Sequence, residues 1–255
     1  MKAKNLKKRI KENKTTIGTW LTIGHTSVVE VLTQAKFDWI AIDVEHNLIS
    51  LDTLRHLIIA GQANNTAMFV RVAKNDEVSI KYALDAGADG IIAPMINSAE
   101  DAEKLISYAY YPPKGKRGVG LSRAQGYGDN FSQYLEWVDK ELTVIGQIEH
   151  IDAINDLESI AKVDGIDALM IGPYDLSASM GYPGKFDRPD VKEAIEKFNV
   201  ICKKNHMASG LHIVPVEESR VQNAVKENYS FIAFGTDFNF MKAGLKSMHK
   251  LNIIS

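Results

Sequence analysis

The chain has 255 residues, 45% of them hydrophobic, and 30 basic against 32 acidic side chains leave a formal charge of −2. That length carries a substantial core, and the charge balance gives no reason to expect a nucleic acid or an anionic membrane as partner. The basic start, MKAKNLKKRIKENK, lacks an apolar h-region, no run reaches the roughly 20 apolar residues of a membrane span, and the lone Cys202 has no disulfide partner, so a soluble cytoplasmic protein is expected.

In chain order, the Lys-rich start reads as a short surface helix. Eight short β-branched runs then alternate with helical patterns. The strands are expected at 16–23, 38–44, 67–72, 90–96, 143–149, 168–173, 209–214 and 231–236. Each is nearly continuous in apolar residues, as parallel strands covered on both faces are. Helices are expected at 26–36, 50–62, 76–86, 98–109, 150–162, 189–205, 216–227 and 238–250, with Ser50 and Ser98 as N-caps. In the last helix, Phe238, Met241, Leu245 and Met248 form an apolar stripe that reads as core. Eight such units in this length predict a single (β/α)8 TIM barrel over residues 1–255 with a short N-terminal helix. A doubly wound open sheet is the alternative, disfavoured by the missing early GxGxxG. One segment, YYPPKGKRGVGLSRAQGYGDN (110–130), is too long for an ordinary connection and reads as a lid or binding loop.

In a barrel, active-site groups sit at the C-terminal strand ends. The second strand, in FDWIAIDVEHNLIS, runs into Asp43, Glu45 and His46. The third ends at Arg71, the fifth at Gln147 and Glu149, and the sixth is followed by Gly172, Pro173, Tyr174 and Asp175. His212 lies on the seventh, and the eighth runs into Gly235 and Asp237. Arg71 is costly to bury without an anion, which points to substrate binding. Glu149 by itself could be a first-turn helix acid, and Asp175 a helix cap. Together on adjacent strands they point to a hard divalent ion such as Mg²⁺ or Mn²⁺. His46, beside two acids, reads as functional; His25, His56, His206 and His249 read as surface or packing residues, and His212 is left open.

The blocks FDWIAIDVEH, VRVAKNDEVSIKYALDAGADGIIAPMINSAEDAE, YYPPKGKRGVG, IGQIEHIDAINDLESIAKVDGIDALMIGPYDLSASMGYPG and FIAFGTD resemble the HpcH/HpaI aldolase family over about residues 15–245. The resemblance implies a class II, metal-dependent pyruvate aldolase that cleaves a 4-hydroxy-2-oxo acid to pyruvate and an aldehyde. It implies Glu149 and Asp175 as ligands of a divalent ion (Mg²⁺, Mn²⁺ or Co²⁺), and His46 as a base held by Asp43. Arg71 is implied at the keto oxygen, the N–H groups of Tyr174 and Asp175 at the substrate carboxylate, and Gln147 and Asp85 at further site positions. A homo-oligomer, commonly a hexamer, is implied as well. Val44 stands where a glycine is common, and HNLIS replaces a frequent HAP continuation, which leaves the aldehyde open. The rival readings are a CoA-ester lyase or phosphoenolpyruvate-type enzyme, a non-catalytic 2-oxo-acid-binding barrel, and a Schiff-base aldolase using Lys74.

Overall fold

The computed structural model describes residues 5–249, with side chains through Lys246. Eight parallel strands close into one barrel in the order β1 to β8. They are β1 (Thr16–Leu21), β2 (Trp39–Asp43), β3 (Ala67–Arg71), β4 (Gly90–Ala93), β5 (Thr143–Ile148), β6 (Ala168–Ile171), β7 (Ala208–Ile213) and β8 (Phe231–Thr236). Closure comes from β1 pairing with β8, Thr16 opposite Phe231 and Ile17 opposite Ile232. The fold is the expected (β/α)8 barrel. Several strands stop one to three residues earlier than the apolar runs, since those runs continue into the loops at the barrel mouth.

The helices in order are α1 (Leu6–Lys11), α2 (Thr26–Gln34), α3 (Leu51–Ala63), α4 (Glu77–Asp85), α5 (Ala99–Ala109) and α6 (Phe131–Glu141). They continue with α7 (Ile151–Asn155), α8 (Leu157–Ile160), α9 (Pro173–Ser179), α10 (Pro189–Lys204), α11 (Glu218–Lys226) and α12 (Asp237–His249). Ser50 and Ser98 cap α3 and α5 as expected, accepting from the N–H groups of Thr53 and Asp101. The helix expected over 150–162 is broken at Asp156. Its carboxylate leaves the helix to accept the Ala99 N–H at 2.8 Å, so α7 and α8 are separate turns.

The side-chain period of two decides what fills the barrel. Along β2 the inward residues are Trp39, Ala41 and Asp43; along β3, Ala67, Phe69 and Arg71; along β5, Ile145, Gln147 and Glu149. Each series starts apolar and ends polar. At the N-terminal end the rings of Trp39, Phe69 and Phe231 stack, with centroids 4.3 to 6.2 Å apart. Gly18 is required beside them: a Cβ there would stand 2.1 Å from the Trp39 ring. Beneath this layer α1 closes the barrel with Leu6 and Ile10, both buried. The basic start is therefore not a surface helix. Lys7 is buried as well, donating to the Leu142 carbonyl at 2.6 Å and the Tyr110 hydroxyl at 3.0 Å, and pairing with Asp167 at 3.2 Å. Burial pushes the Lys7 ammonium down and the Asp167 carboxyl up from their ordinary values.

The segment 110–130 is not a lid over the mouth. It joins the C-terminus of α5 to α6 and β5, which puts it at the barrel end opposite the mouth. Its Arg117 is buried, donates to Asp85 at 2.6 Å and to the Tyr134 hydroxyl at 3.1 Å, and lies over the Tyr111 ring. Asp85, a candidate site position, is thus held at the C-terminus of α4 and not in the mouth. The apolar stripe of α12 is not core either: Phe238, Met241 and Leu245 are exposed at 48%, 56% and 58%, and the Met248 side chain lies outside the described residues.

Candidate active site

The polar ends of the inward series meet in a cavity of about 840 Å³ at the C-terminal end of the barrel, lined by Trp20, Arg71, Gln147, Gly172, Asp175 and His212 among others. Arg71 anchors it. Its Nε donates to Asp43 Oδ1 at 2.8 Å, its Nη2 meets Asp43 Oδ2 at 2.8 Å, and Glu45 Oε2 stands 3.3 Å from Nε. The guanidinium also lies over the Trp20 ring, 4.5 Å from its centroid. A bidentate pair of this kind fixes the arginine plane, leaving its outer face as a rigid positive surface for an anion. Burial pushes the Asp43 carboxyl up, but the hydrogen bonds and charge of Arg71 outweigh it and hold Asp43 below its ordinary value.

The Asp43 carboxylate is saturated: besides Arg71 it accepts from Asn47 Nδ2 at 2.5 Å and from the N–H groups of Glu45 and His46 at 3.2 and 3.3 Å. Asp43 fixes His46 through its backbone, and the imidazole Nε2 lies 3.6 Å from Glu45 Oε2 with the side chain 61% exposed at the rim.

Glu149 follows β5 and is buried. Its Oε1 accepts the Met95 N–H at 2.7 Å, and its Oε2 accepts from Gln147 Nε2 at 2.5 Å. Met95 aims that N–H from a left-handed backbone conformation, φ 55°, unusual for a residue other than glycine. Burial pushes the Glu149 carboxyl up to about 7, with the negative charges of Glu45 and Asp175 adding to the rise. Burial likewise raises Glu45, against the pull of Arg71. Asp175 is exposed in the first turn of α9, beside Tyr174, which is 60% exposed and packs edge-on to Phe186.

Several buried polar atoms here have no hydrogen-bond partner among the described residues: Glu45 Oε2, Gln147 Oε1, His212 Nε2 and Trp20 Nε1. Buried polar atoms are normally paired, so these atoms, gathered at the mouth, are open to a ligand. Among the described residues no three His, Cys, Asp or Glu side chains converge to hold a metal by themselves. What the mouth does offer suits a hard cation that keeps water and substrate oxygens in its shell: Glu149 and Asp175 near enough to repel, and lone acceptor oxygens beside them.

The structure therefore brings Asp43, His46, Arg71, Gln147, Glu149, Tyr174 and Asp175 to one end of the barrel. Asp85 is at the other. Asp237 is close by but tied to the chain, accepting from the N–H groups of Thr22 and Ile23 at 2.7 Å each. Lys74 is exposed. Glu45 and Trp20 join the residues of the mouth, Glu45 against Arg71 Nε and Trp20 under the guanidinium, and both follow the inward parity of their strands.

A closed (β/α)8 barrel with a clamped arginine, clustered carboxylates and an imidazole at its mouth defines an enzyme acting on a small anionic substrate. The chain belongs to the HpcH/HpaI aldolase/citrate lyase family, whose model matches residues 16–243. It is similar to the 4-hydroxy-2-oxovalerate aldolase of Rhodococcus jostii, 37% identical over 93% of this chain and 91% of the relative. It is also similar to the hydroxypyruvate/pyruvate aldolase of Roseobacter denitrificans, at 34% identity over 91% of this chain and 90% of the relative. A crystal structure of a family protein from Burkholderia cenocepacia superposes with a TM-score of 0.91 at 28% identity, covering 97% of this chain and 99% of that one. The chain is accordingly a lyase, and no described helix is long and apolar enough to cross a membrane.

Proposed function

We propose that this chain is one catalytic domain, a class II aldolase that reversibly cleaves a 4-hydroxy-2-oxo acid to pyruvate and an aldehyde. We place it in the cytoplasm as a homo-oligomer, the hexamer being the form its family resemblance favours. The observation that carries the reading is Arg71, clamped by Asp43 and Glu45 within the cavity that Gln147 and Asp175 line. Glu149 and Asp175 would hold a divalent ion, Mg²⁺, Mn²⁺ or Co²⁺. Such an ion, when bound, supplies Lewis-acid polarisation of the 2-keto oxygen.

The rest of the chemistry falls to the chain. Arg71 lays fixed positive charge against the keto oxygen, which becomes negative as the C3–C4 bond breaks. His46 takes the proton of the C4 hydroxyl, so that the C4 oxygen becomes the aldehyde carbonyl and the bonding pair moves towards C3. The proton taken up by His46 is returned to C3, which completes pyruvate and restores the base; the reverse sequence is aldol addition. The N–H groups of Tyr174 and Asp175 receive the substrate carboxylate, and Gln147 presents its amide to the same bound acid.

The test is pyruvate release from a series of 4-hydroxy-2-oxo acids differing in chain length and terminal charge. Chelation with EDTA should abolish release and Mg²⁺, Mn²⁺ or Co²⁺ should restore it, while borohydride with pyruvate should leave no adduct. Full activity after exhaustive chelation, or a trapped pyruvyl adduct on Lys74, would sink the proposal.

A further inference from the structure

His212 stands at the end of β7 as the last of an inward series, Ala208, Gly210 and His212, and its ring meets Trp20 edge-on with centroids 5.9 Å apart. Nothing in the proposed mechanism uses it. Its Nε2 is buried without a hydrogen-bond partner among the described residues. Burial pushes the imidazole down to about 4, and the Arg71 charge works in the same direction, so the ring is neutral at ordinary pH. A neutral imidazole has one N–H and one lone pair. The Gly235 carbonyl faces the ring from β8 and is the acceptor to which we assign the N–H. The lone pair then needs a donor. Arg71 does not supply it in this structure: its contacts run to Asp43 and Glu45, and none of its N–H groups reaches the His212 Nε2.

The position of the ring says which part of a substrate it meets. The keto acid belongs beside Arg71 and Asp175, and a three-carbon acid fills only a fraction of about 840 Å³. The cavity continues past His212 along Ile213, Val214 and Pro215 to the polar side chains of Arg220 and Asn223. Of these groups the His212 ring is the one that stands beside Trp20 and carries a buried, unpartnered acceptor. We propose that His212 selects the aldehyde half of the substrate by accepting a hydrogen bond from a hydroxyl next to its carbonyl, so that the preferred acceptors are α-hydroxyaldehydes. This rests on the aldolase reading above.

The experiment measures kcat/KM for addition of pyruvate, with Mn²⁺ present, to glycolaldehyde and to its isostere propanal, and separately the exchange of pyruvate methyl protons in D₂O. In the unmodified protein glycolaldehyde should be preferred. His212→Phe, which keeps a flat ring and loses the lone pair, should lower kcat/KM for glycolaldehyde by about 10–100-fold and leave propanal and methyl exchange unchanged. His212→Gln, which returns an acceptor, should recover part of the preference. Should His212→Phe fail to fold, His212→Leu makes the same comparison. Equal losses on both aldehydes, no loss on either, or an unmodified protein without preference would overturn the assignment while leaving the aldolase standing. Absence of methyl exchange in the unmodified protein would overturn both.

Discussion

Glu149 keeps its proton up to a pH of about 7 because the fold buries it near two other acids, so proton and cation compete for the same carboxylate. Below that pH the apparent Mn²⁺ affinity should fall by about tenfold per pH unit, and titration calorimetry between pH 5.5 and 8 checks it. The sign for stability is the reverse of the usual carboxylate case. The folded value lies above the ordinary 4.5, so the folded state binds the extra proton and stability falls as pH rises from 4.5 to about 7. In metal-free protein at pH 8, Glu149→Gln should therefore melt higher, by an amount on the order of 3 kcal/mol at most, while losing activity. A flip of the Gln147 amide turns its unpartnered Oε1 to the new NH₂ group. His46 makes a different prediction. As the proposed base and not a ligand, His46→Ala should lower kcat by roughly 10²–10⁴-fold with Mn²⁺ affinity intact; near-normal turnover would remove it from the mechanism. Much of this mouth was legible, because acids and an arginine ending apolar strands are conspicuous. Glu45 is legible directly, as one of the acids into which the second strand runs, whereas Trp20 is legible only through parity, since Gly18 and Trp20 face inward together.

The barrel strands announced themselves because both of their faces are covered, which leaves each run apolar throughout. The helices were less uniform. The segment 131–141, FSQYLEWVDKE, forms α6 with little apolar signal, since only Tyr134 and Val138 of its eleven residues are buried. The Lys-rich start misled because charge outweighs two apolar residues on any linear reading, whereas α1 buries Leu6 and Ile10 and satisfies Lys7 within the barrel floor. Ile10→Ala should cost about 2–4 kcal/mol in denaturant unfolding, and the folded fraction should keep its kcat, since α1 and the mouth are at opposite ends. Arg117→Leu should cost about 3–5 kcal/mol, as it strands the Asp85 carboxylate and the Tyr134 hydroxyl. An unchanged midpoint in either variant would show that these contacts contribute nothing.

Closure of the molecule joins β1 to β8, residues more than two hundred positions apart, and the mouth draws on strands from both halves. No half of the chain contains both Arg71 and Glu149 in place. The outward apolar face of α12, with Phe238, Met241 and Leu245 exposed, is the surface that best matches the proposed assembly. Light scattering at micromolar concentration should give a multiple of the 28.3 kDa chain mass, and a monomeric mass would defeat the oligomer.

The placement of Trp20 has an optical consequence. Of the three tryptophans, Trp39 is sealed in the barrel floor and Trp137 stacks on Tyr134, whereas Trp20 touches both Arg71 and His212 at the cavity wall. Intrinsic fluorescence is thus a built-in gauge of occupancy: a keto acid drawn to Arg71 changes the polarity and the charge against one indole while the other two stay constant. The emission change on adding pyruvate should saturate, and it should vanish in Trp20→Phe.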